Sequence, residues 1–370
     1  MHLPIALVIC VALGTLASSA QSTTRLSASK VNDYGVTYTL PLTRFQVTLA
    51  AEKTVKTPGE FARYAGKYLN ATPILHPSVS WRLTEAVIAP DSYADPDELY
   101  LVTFRNGDGT YINLTDLGTP LSINDETYTG ETPDIDLPVN IPPKPTILEL
   151  PVARQAVTAD MIQSKSVAKK AELAAAKIYE LRANRNEIIT GQADGMPADG
   201  EAMKLALEQI NAQEEALTAM FLGTVQTSVE VKTFTAGVPD DGAPGRSVIA
   251  RLSALDGIVD ADDLSGAPIY FSVLEKSRGQ LPLTDKGQPR PFPRGGVAYR
   301  IPGTAEVSVS YDGQTLAEDT FEVAQYGVVY GLDPAMFTAK KAAWGTKNAP
   351  SYLHFNPLTG SVSRIGVVGE

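Results

Sequence analysis

The clearest pattern of apolar and polar positions runs from residue 164 to residue 221 and predicts two long helices. Apolar residues recur there every three or four positions, which is the spacing of one helix face. The segment between them, 191–200, is dense in glycine, proline and aspartate, so it predicts a turn. Two helices joined by a short loop are expected to pack as an antiparallel hairpin. The two stripes are Val167, Ala171, Ala174, Ile178, Leu181 and Ile188, then Met203, Leu207, Ile210, Leu217 and Phe221.

Two charged residues interrupt these stripes, Arg185 in the first helix and Glu214 in the second. Arg182 and Glu208 are about equally far from the loop along the chain, which predicts an ion pair across the hairpin. One interpretation of the hairpin is an arm that projects and contacts a partner. The other is a brace packed along a β-rich region, and we favour it because two isolated helices are only marginally stable. In both cases the loop at 191–200 is expected to be exposed to a partner.

On both sides of the hairpin, apolar and polar residues alternate with the period of two that is typical of β-strands. The pattern therefore predicts an α+β fold, mostly β, in which a long antiparallel helical hairpin separates two antiparallel β-rich regions. The turn sequence at 356–360 predicts a terminal β-hairpin. The predicted strands are 36–40, 45–49, 80–88, 99–104, 111–114, 225–234, 247–252, 269–274, 297–301, 306–311, 321–329, 352–355 and 361–368.

Local signals divide the chain further. Thr57, Pro58 and Glu60 have the spacing of a capping box, which predicts a short helix that begins at Pro58. The proline-rich stretch at 132–151 is expected to be extended and to mark a boundary. The predicted organisation is a signal peptide at 1–20, an N-terminal β-rich region with one short helix at 21–157, the helical hairpin at 158–222, and a C-terminal β-rich domain at 223–370.

A weak internal repeat relates the two β-rich regions. The segment GVTYTLPLT at 35–43 resembles GVAYRIPGT at 296–304, and both have a proline at the same place. Because proline has no N–H to donate, the chain must bend or lie at a sheet edge there. A second match aligns 62–68 with 324–330, although the first predicts a helix and the second a strand. Duplication of a β-domain is therefore a hypothesis.

The N-terminus predicts export. Residues 3–16 form an apolar run that is too short to span a membrane, and small residues follow at 17–20. This pattern is typical of a secretory signal peptide cleaved after Ala20, which would leave Gln21 first. Cys10 is the only cysteine and lies within the signal, after the bulky Ile9, which does not suit lipidation. The mature chain is thus expected to have no disulfide, catalytic thiol or cysteine metal site.

The charge distribution restricts the partners. The sequence has 42 acidic and 31 basic residues, a net charge of -11, and no basic run, so nucleic acid is not expected as a partner. No segment after the signal is apolar enough to be a transmembrane helix. A protein or a cell-envelope component is the expected partner.

No catalytic, cofactor-binding or metal-binding residue is predicted. His76 and His354 are the only histidines after the signal, and without a serine-hydrolase motif each is expected to be structural. The aspartates at 256–263 do not have the spacing of a calcium loop, so they predict a solvated turn. Trp81 and Trp344 are expected in the core, and stacking on a glycan is the alternative. The aspartates in question are Asp256, Asp260, Asp262 and Asp263.

Several segments together resemble a known family. They are 38–41, 58–69, 178–185, 191–200, 299–302, 324–327 and 356–360. Through them the chain resembles an exported Bacteroidota family catalogued only as domain of unknown function number 4831. The resemblance covers most of the mature chain and implies export in a diderm bacterium, to the periplasm or the cell surface. It implies no activity and no catalytic residues.

The sequence leaves two classes of function open. The first is an exported extracytoplasmic binding or structural module of unknown ligand, without catalytic chemistry. The alternative is a hydrolase of glycan or peptide that uses two carboxylates about 5–10 Å apart in a cleft. We favour the binding module because the sequence predicts a distinctive, well-capped hairpin and contains no catalytic signature. Whether the protein is an enzyme stays open.

Overall fold

The computed structural model describes residues 22–25, 35–103, 110–193, 195, 200–239, 245–336 and 351–367. Within these ranges the chain forms three antiparallel sheets and five α-helices, which confirms the predicted α+β, mostly β, class. No helix in the same ranges is long and apolar enough to cross a membrane. The predicted signal peptide, residues 194 and 196–199 of the predicted hairpin loop, and Trp344 lie outside the described residues.

The elements are numbered in chain order. The strands are β1 (Ser22–Arg25), β2 (Val36–Thr57), β3 (Ser78–Thr103), β4 (Ile112–Leu114), β5 (Pro120–Ile123), β6 (Thr224–Gly237), β7 (Gly245–Ser253), β8 (Gly257–Asp260), β9 (Gly266–Ser277), β10 (Val297–Tyr311), β11 (Gln314–Leu332), β12 (Ser351–Phe355) and β13 (Val362–Val367). The helices are α1 (Ala65–Leu69), α2 (Pro151–Ala156), α3 (Ala159–Gln163), α4 (Val167–Thr190) and α5 (Gly200–Leu222).

Strands from before and after the helical hairpin pair with each other. The first sheet has the order β1-β3-β2-β6, the second β11-β10-β9-β7-β8, and the third β13-β12-β5-β4. β6 follows the hairpin and pairs with β2 from Arg44 opposite Gly237 to Thr57 opposite Thr224. The third sheet likewise joins β5 to β12. The two β-rich parts of the sequence are therefore interleaved in space.

Several predicted short strands merge into long ones. Segments 36–40 and 45–49 belong to β2, 80–88 and 99–104 to β3, and 297–301 and 306–311 to β10. The predictions separated them where prolines break the alternation. The strands nevertheless continue, because a β-bulge can absorb such an irregularity without ending the pairing.

Pro41 and Pro302 mark the same irregularity in two strand pairs. The pairing of β2 with β3 skips residues 95–98 of β3 beside Pro41. The pairing of β10 with β11 skips residues 324–327 of β11 at Pro302. The two skipped segments, which we call the first and the second bulge, have the same length. The first match of the internal repeat thus corresponds to a shared structural feature.

Each bulge is held by a residue from the other strand pair. Arg300 of β10 forms a buried ion pair with Asp95 in the first bulge, and its Nη1 donates to the Ala324 carbonyl at 3.3 Å. The Thr43 hydroxyl of β2 accepts from the Ala324 N–H of the second bulge at 3.0 Å. The Gln325 side chain exchanges two hydrogen bonds with the Thr43 backbone, at 3.0 and 2.6 Å. These reciprocal contacts join the two strand pairs where they bend.

The long strands contribute to two hydrophobic cores. The first core lies between the first and second sheets, and the second core joins the third sheet to the other ends of the long strands. Both cores draw on β2 and β10, so neither forms without the other strand pair. Members of the first core include Phe45, Val47, Leu49, Phe271, Val307 and Tyr326, and members of the second include Tyr38, Leu40, Ile123, Val297, Leu353 and Phe355.

The hairpin packs on short helices. The predicted stripe residues Ala171, Ala174, Ile178, Leu181, Leu217 and Phe221 are buried in one cluster with Phe61, Ala65, Ala156 and Met161. The buried members of both sheet cores come from strands. The expected brace along a β-rich region is therefore wrong. The helices α2 and α3, which the sequence pattern did not predict, supply part of the apolar surface that the hairpin needs.

The short helix after β2 begins later than predicted. Thr57 ends β2 opposite Thr224 and caps no helix. A 3-10 helix at Ala62–Tyr64 leads into α1, and the N–H of Phe61 donates to the Met220 carbonyl of α5 at 2.7 Å. The predicted capping box is wrong because Thr57 remains in β2, and the Phe61 N–H, which would make the first helical bond to Thr57, donates to α5 instead.

Candidate functional site

The outer half of the hairpin contributes no buried residue to a core, and of its side chains Ile210 packs on the edge of the helical cluster. Its described residues, 186–193 and 200–210, include no buried side chain, and we call them the distal arm. Ile189 is 64% exposed and Leu205 is 59% exposed. Gly191 ends α4 in the left-handed conformation at φ 73°, as the sequence predicts. The distal arm is thus a helix pair in which Ile189 and Leu205 are exposed and Ile188, Met203 and Leu207 are half-buried.

One carboxylate bridges two arginines where the distal arm meets the helical cluster. Glu214 accepts from Arg182 Nε at Oε1 and from Arg185 Nη1 at Oε2, each at 2.6 Å. Arg185 Nη1 also donates to Asn211 Oδ1 at 3.0 Å. The Glu214 side chain is only 12% exposed, whereas those of Arg182 and Arg185 are 41% and 35% exposed. We call Arg182, Arg185 and Glu214 the Arg–Glu–Arg cluster.

The predicted pair of Arg182 with Glu208 is wrong. Arg182 pairs with Glu214, which occupies the inward stripe of α5, whereas Glu208 lies on its exposed side. Equal distance from the loop does not make two residues face each other, because the rotation of each helix decides which side chains meet.

The Arg–Glu–Arg cluster lines a cleft of about 710 Å³. Thr146 and Ile147, from the end of the proline-rich segment, also line it, together with Leu222 and the start of β6 at Val225. A cleft of this size is within the range of small-molecule sites. Its lining combines guanidinium donors, hydroxyl groups and aliphatic side chains, so it can contact a ligand that has both a charged and an apolar part.

His354 is a buried residue of the third sheet whose imidazole contacts the half-buried carboxylate of Asp125. Its Nε2 is 2.8 Å from Asp125 Oδ2, and the Tyr128 ring stacks on the imidazole with 3.8 Å between ring centroids. Hydrogen bonds from His354 and from Thr127 lower the pKa of Asp125 to about 2. Tyr352 packs on His354 as well, with 4.9 Å between ring centroids. The imidazole is therefore enclosed by aromatic rings and held by one carboxylate.

The other residues named from the sequence lie apart from the cleft. His76 is exposed in the loop before β3. Trp81 packs against the first core, and its Nε1 donates to the Leu255 carbonyl at 3.2 Å. In the part of the chain that the structure describes, the aspartates at 256–263 form no group of three or more possible metal ligands.

The sequence carried one signal for the cleft. Arg185 and Glu214 stand at positions of the apolar stripes, and a charge on an inward face needs a partner because burial of a lone charge is costly. Nothing in the pattern pointed to Thr146, Ile147 or Val225. They join the cleft only because the chain on either side of the hairpin returns to its base.

Comparison with curated proteins finds no match, and comparison with solved structures finds none. Comparison with protein families matches residues 34–363 to the family described as Domain of unknown function (DUF4831). The matched span contains both sheet cores, the helical hairpin and the cleft, and it covers most of the chain. It agrees with the resemblance carried by the sequence motifs. The protein therefore belongs to the DUF4831 family.

Proposed function

We propose that the protein is an exported binding or structural module, without catalytic chemistry, that contacts a protein or another cell-envelope component through its helical hairpin. The distal arm carries this proposal, because it is regular in structure and yet buries no side chain. Isolated helix pairs are marginal in water. A partner that covers Ile189 and Leu205 would supply the apolar burial that the arm lacks.

Export is part of the same proposal. Its support is the apolar run at 3–16 followed by small residues at 17–20. Cleavage after Ala20 would release the mature chain into the periplasm or onto the surface of a diderm bacterium.

The test is capture of partners from a native cell-envelope extract. The variant replaces residues 187–208 with a short glycine-rich turn and keeps the whole Arg–Glu–Arg cluster. Because none of the described residues among those removed belongs to a core, we expect little change in melting temperature. We expect the proteins that co-purify with the full chain, identified by mass spectrometry, to be lost. An unchanged set of co-purified proteins contradicts the proposal.

Point substitutions provide a matched control. Ile189→Ser with Leu205→Ser alters two exposed apolar side chains of the distal arm. Ile162→Ser with Leu255→Ser makes the same chemical changes elsewhere, at side chains that are 71% and 78% exposed. Loss of the partners with the first pair alone supports the proposal. Equal loss with both pairs would indicate non-specific apolar adhesion and would contradict it.

The carboxylate-based hydrolase stays a prediction. Glu214 and Glu215 both line the cleft, so the residue types are present. Both oxygens of Glu214 already accept guanidinium hydrogen bonds, which is why we place binding first.

A further inference from the structure

The Arg–Glu–Arg cluster has more positive charge than Glu214 balances. Two guanidinium groups face one carboxylate, so the three side chains carry a net charge of 2 − 1 = +1. In its hydrogen bonds to other described residues, Arg182 donates only through Nε, and Arg185 donates only through Nη1. A guanidinium has five N–H groups, so most of the donors in the cluster remain available to a ligand.

These donors favour a planar anion. A guanidinium offers two parallel N–H groups that match the two oxygens of a carboxylate. The whole chain carries a charge of -11, so its general field repels anions. An anion can therefore bind only where positive groups dominate locally. The charged residues that line the cleft are two arginines and two glutamates, Arg182, Arg185, Glu214 and Glu215. The positive excess is therefore confined to the Arg–Glu–Arg cluster, because Glu215 lies on the exposed side of α5, where water screens its charge.

Aliphatic side chains share the cleft with the guanidinium groups. Ile147, Leu222 and Val225 line the same cleft, and Val225 is 56% exposed. We infer that the cleft binds a carboxylate attached to an aliphatic body, such as a peptide that ends in an aliphatic residue or a free aliphatic acid. The inference rests on the proposed function, because it takes the hairpin as the element that contacts the ligand. It adds a second site, at the base of the hairpin, and the chemical class of the ligand that this site takes.

The experiment measures the binding of defined probes to the full chain by isothermal titration calorimetry. The probes are hexanoate, hexanamide, hexyl phosphate, and acetylated Ala-Val-Leu as the free acid and as the terminal amide. We expect at least one acid to bind about tenfold more tightly than its amide, because hydrogen bonds between charged groups are the stronger ones. Which acid binds more tightly identifies the source of the carboxylate. Failure of both acids to bind, or equal binding of hexyl phosphate and hexanoate, overturns the inference.

Variants test whether the cleft is the site. Arg185→Gln is expected to weaken binding of the acid about tenfold or more. Lys177→Gln removes the same charge from the same helix, at a lysine that pairs with Glu180 and does not line the cleft. This control is expected to bind as the wild type does. Equal weakening by both changes would show a general charge effect and overturn the inference.

A third variant is expected to strengthen binding of the acid. Glu214→Gln removes the carboxylate that occupies two of the guanidinium donors, and it retains an amide of similar shape. We expect the acid to bind several-fold more tightly, a gain that loss of folding cannot produce. Unchanged or weaker binding in a folded Glu214→Gln variant counts against the inference.

The two proposals fail separately. The variant without residues 187–208 keeps the cleft, so it should still bind the acid. If the wild type binds no acid but loses its envelope partners on truncation of the arm, only the carboxylate inference fails. If the acid binds but truncation leaves the partners unchanged, only the proposed role of the arm fails.

Discussion

Asp125 stays ionised at unusually low pH because His354 and Thr127 donate hydrogen bonds to its carboxylate. These contacts hold its pKa at about 2, whereas an unfolded chain has an aspartate pKa of about 3.9. The Asp125–His354 contact also ties the turn after β5 to β12, so one side-chain hydrogen bond connects distant parts of the sequence within the third sheet.

We predict that Asp125→Asn removes part of the acid sensitivity of the fold. The folded-state pKa lies below the unfolded-state value, so the folded chain binds fewer protons between about pH 4 and about pH 2. Asp125 therefore stabilises the fold above about pH 4, by about 1 kcal/mol after solvent screening is allowed for, and this stabilisation disappears as the pH falls through about 2.

Denaturant unfolding at a series of pH values checks this prediction. The free energy of unfolding of the wild type should exceed that of Asp125→Asn near neutral pH, and the difference should shrink in acid. Thr127→Ala should have the same effect to a smaller degree, because His354 makes the largest contribution to the low pKa. A difference that stays constant with pH contradicts the prediction.

At the scale of elements, the base of the hairpin depends on a close backbone approach at Gly59. A β-carbon at this position would lie 2.2 Å from the Met220 carbonyl oxygen and 2.7 Å from that of Ala219, both in α5. The same contact brings the Phe61 N–H to Met220. Only glycine allows the chain between β2 and α1 to lie this close to the last turn of the hairpin.

We predict that Gly59→Ala destabilises the protein by about 1–3 kcal/mol, because the backbone of α5 must move to admit the new methyl group. Gly66→Ala is the matched control. A β-carbon there has no neighbour within 4 Å, and the residue lies in α1, so alanine should stabilise by up to about 1 kcal/mol. Thermal unfolding followed by circular dichroism compares the two. Equal melting temperatures would contradict the role given to Gly59.

At the scale of the whole molecule, the interlocked bulges make the two cores depend on each other. β2 and β10 each continue through a proline and enter both cores, and Arg300 and Thr43 join the bends. The first match of the internal repeat falls on these bends. The second does not correspond, because 62–69 is helical and 324–330 is part of β11. The repeat therefore describes two strand pairs and no larger unit.

We predict that Arg300→Met destabilises the whole β-part by about 3–5 kcal/mol, since Asp95 would remain as a buried charge without its partner. The side chains of Arg300 and Asp95 are 8% and 9% exposed. Arg44→Met is the matched control, because Arg44 pairs with Asp91 at 39% and 34% exposure and such a pair contributes at most about 1 kcal/mol. Denaturant midpoints should shift far more for Arg300→Met, and equal shifts would contradict the prediction.

Features that depend on residues close together in the chain could be predicted from the sequence, and features that depend on distant residues could not. The hairpin and most strands were predicted because side-chain periodicity is a local property of the backbone. The helices α2 and α3 were missed because five or six residues are too few to show a helical period. The sequence indicated only part of the cleft, Arg185 and Glu214, because a charged residue on an apolar stripe is also a local signal.

By itself the sequence determined the class of the fold, the helical hairpin with its apolar stripes, and the left-handed cap at Gly191. Only the tertiary structure decided that the strands on the two sides of the hairpin share sheets, that Arg182 meets Glu214, and that a cleft lies at the hairpin base. The physical reason is that periodicity and capping depend on neighbouring residues. Strand partners, bulges and facing ion pairs depend on long-range packing, which no short stretch of sequence encodes.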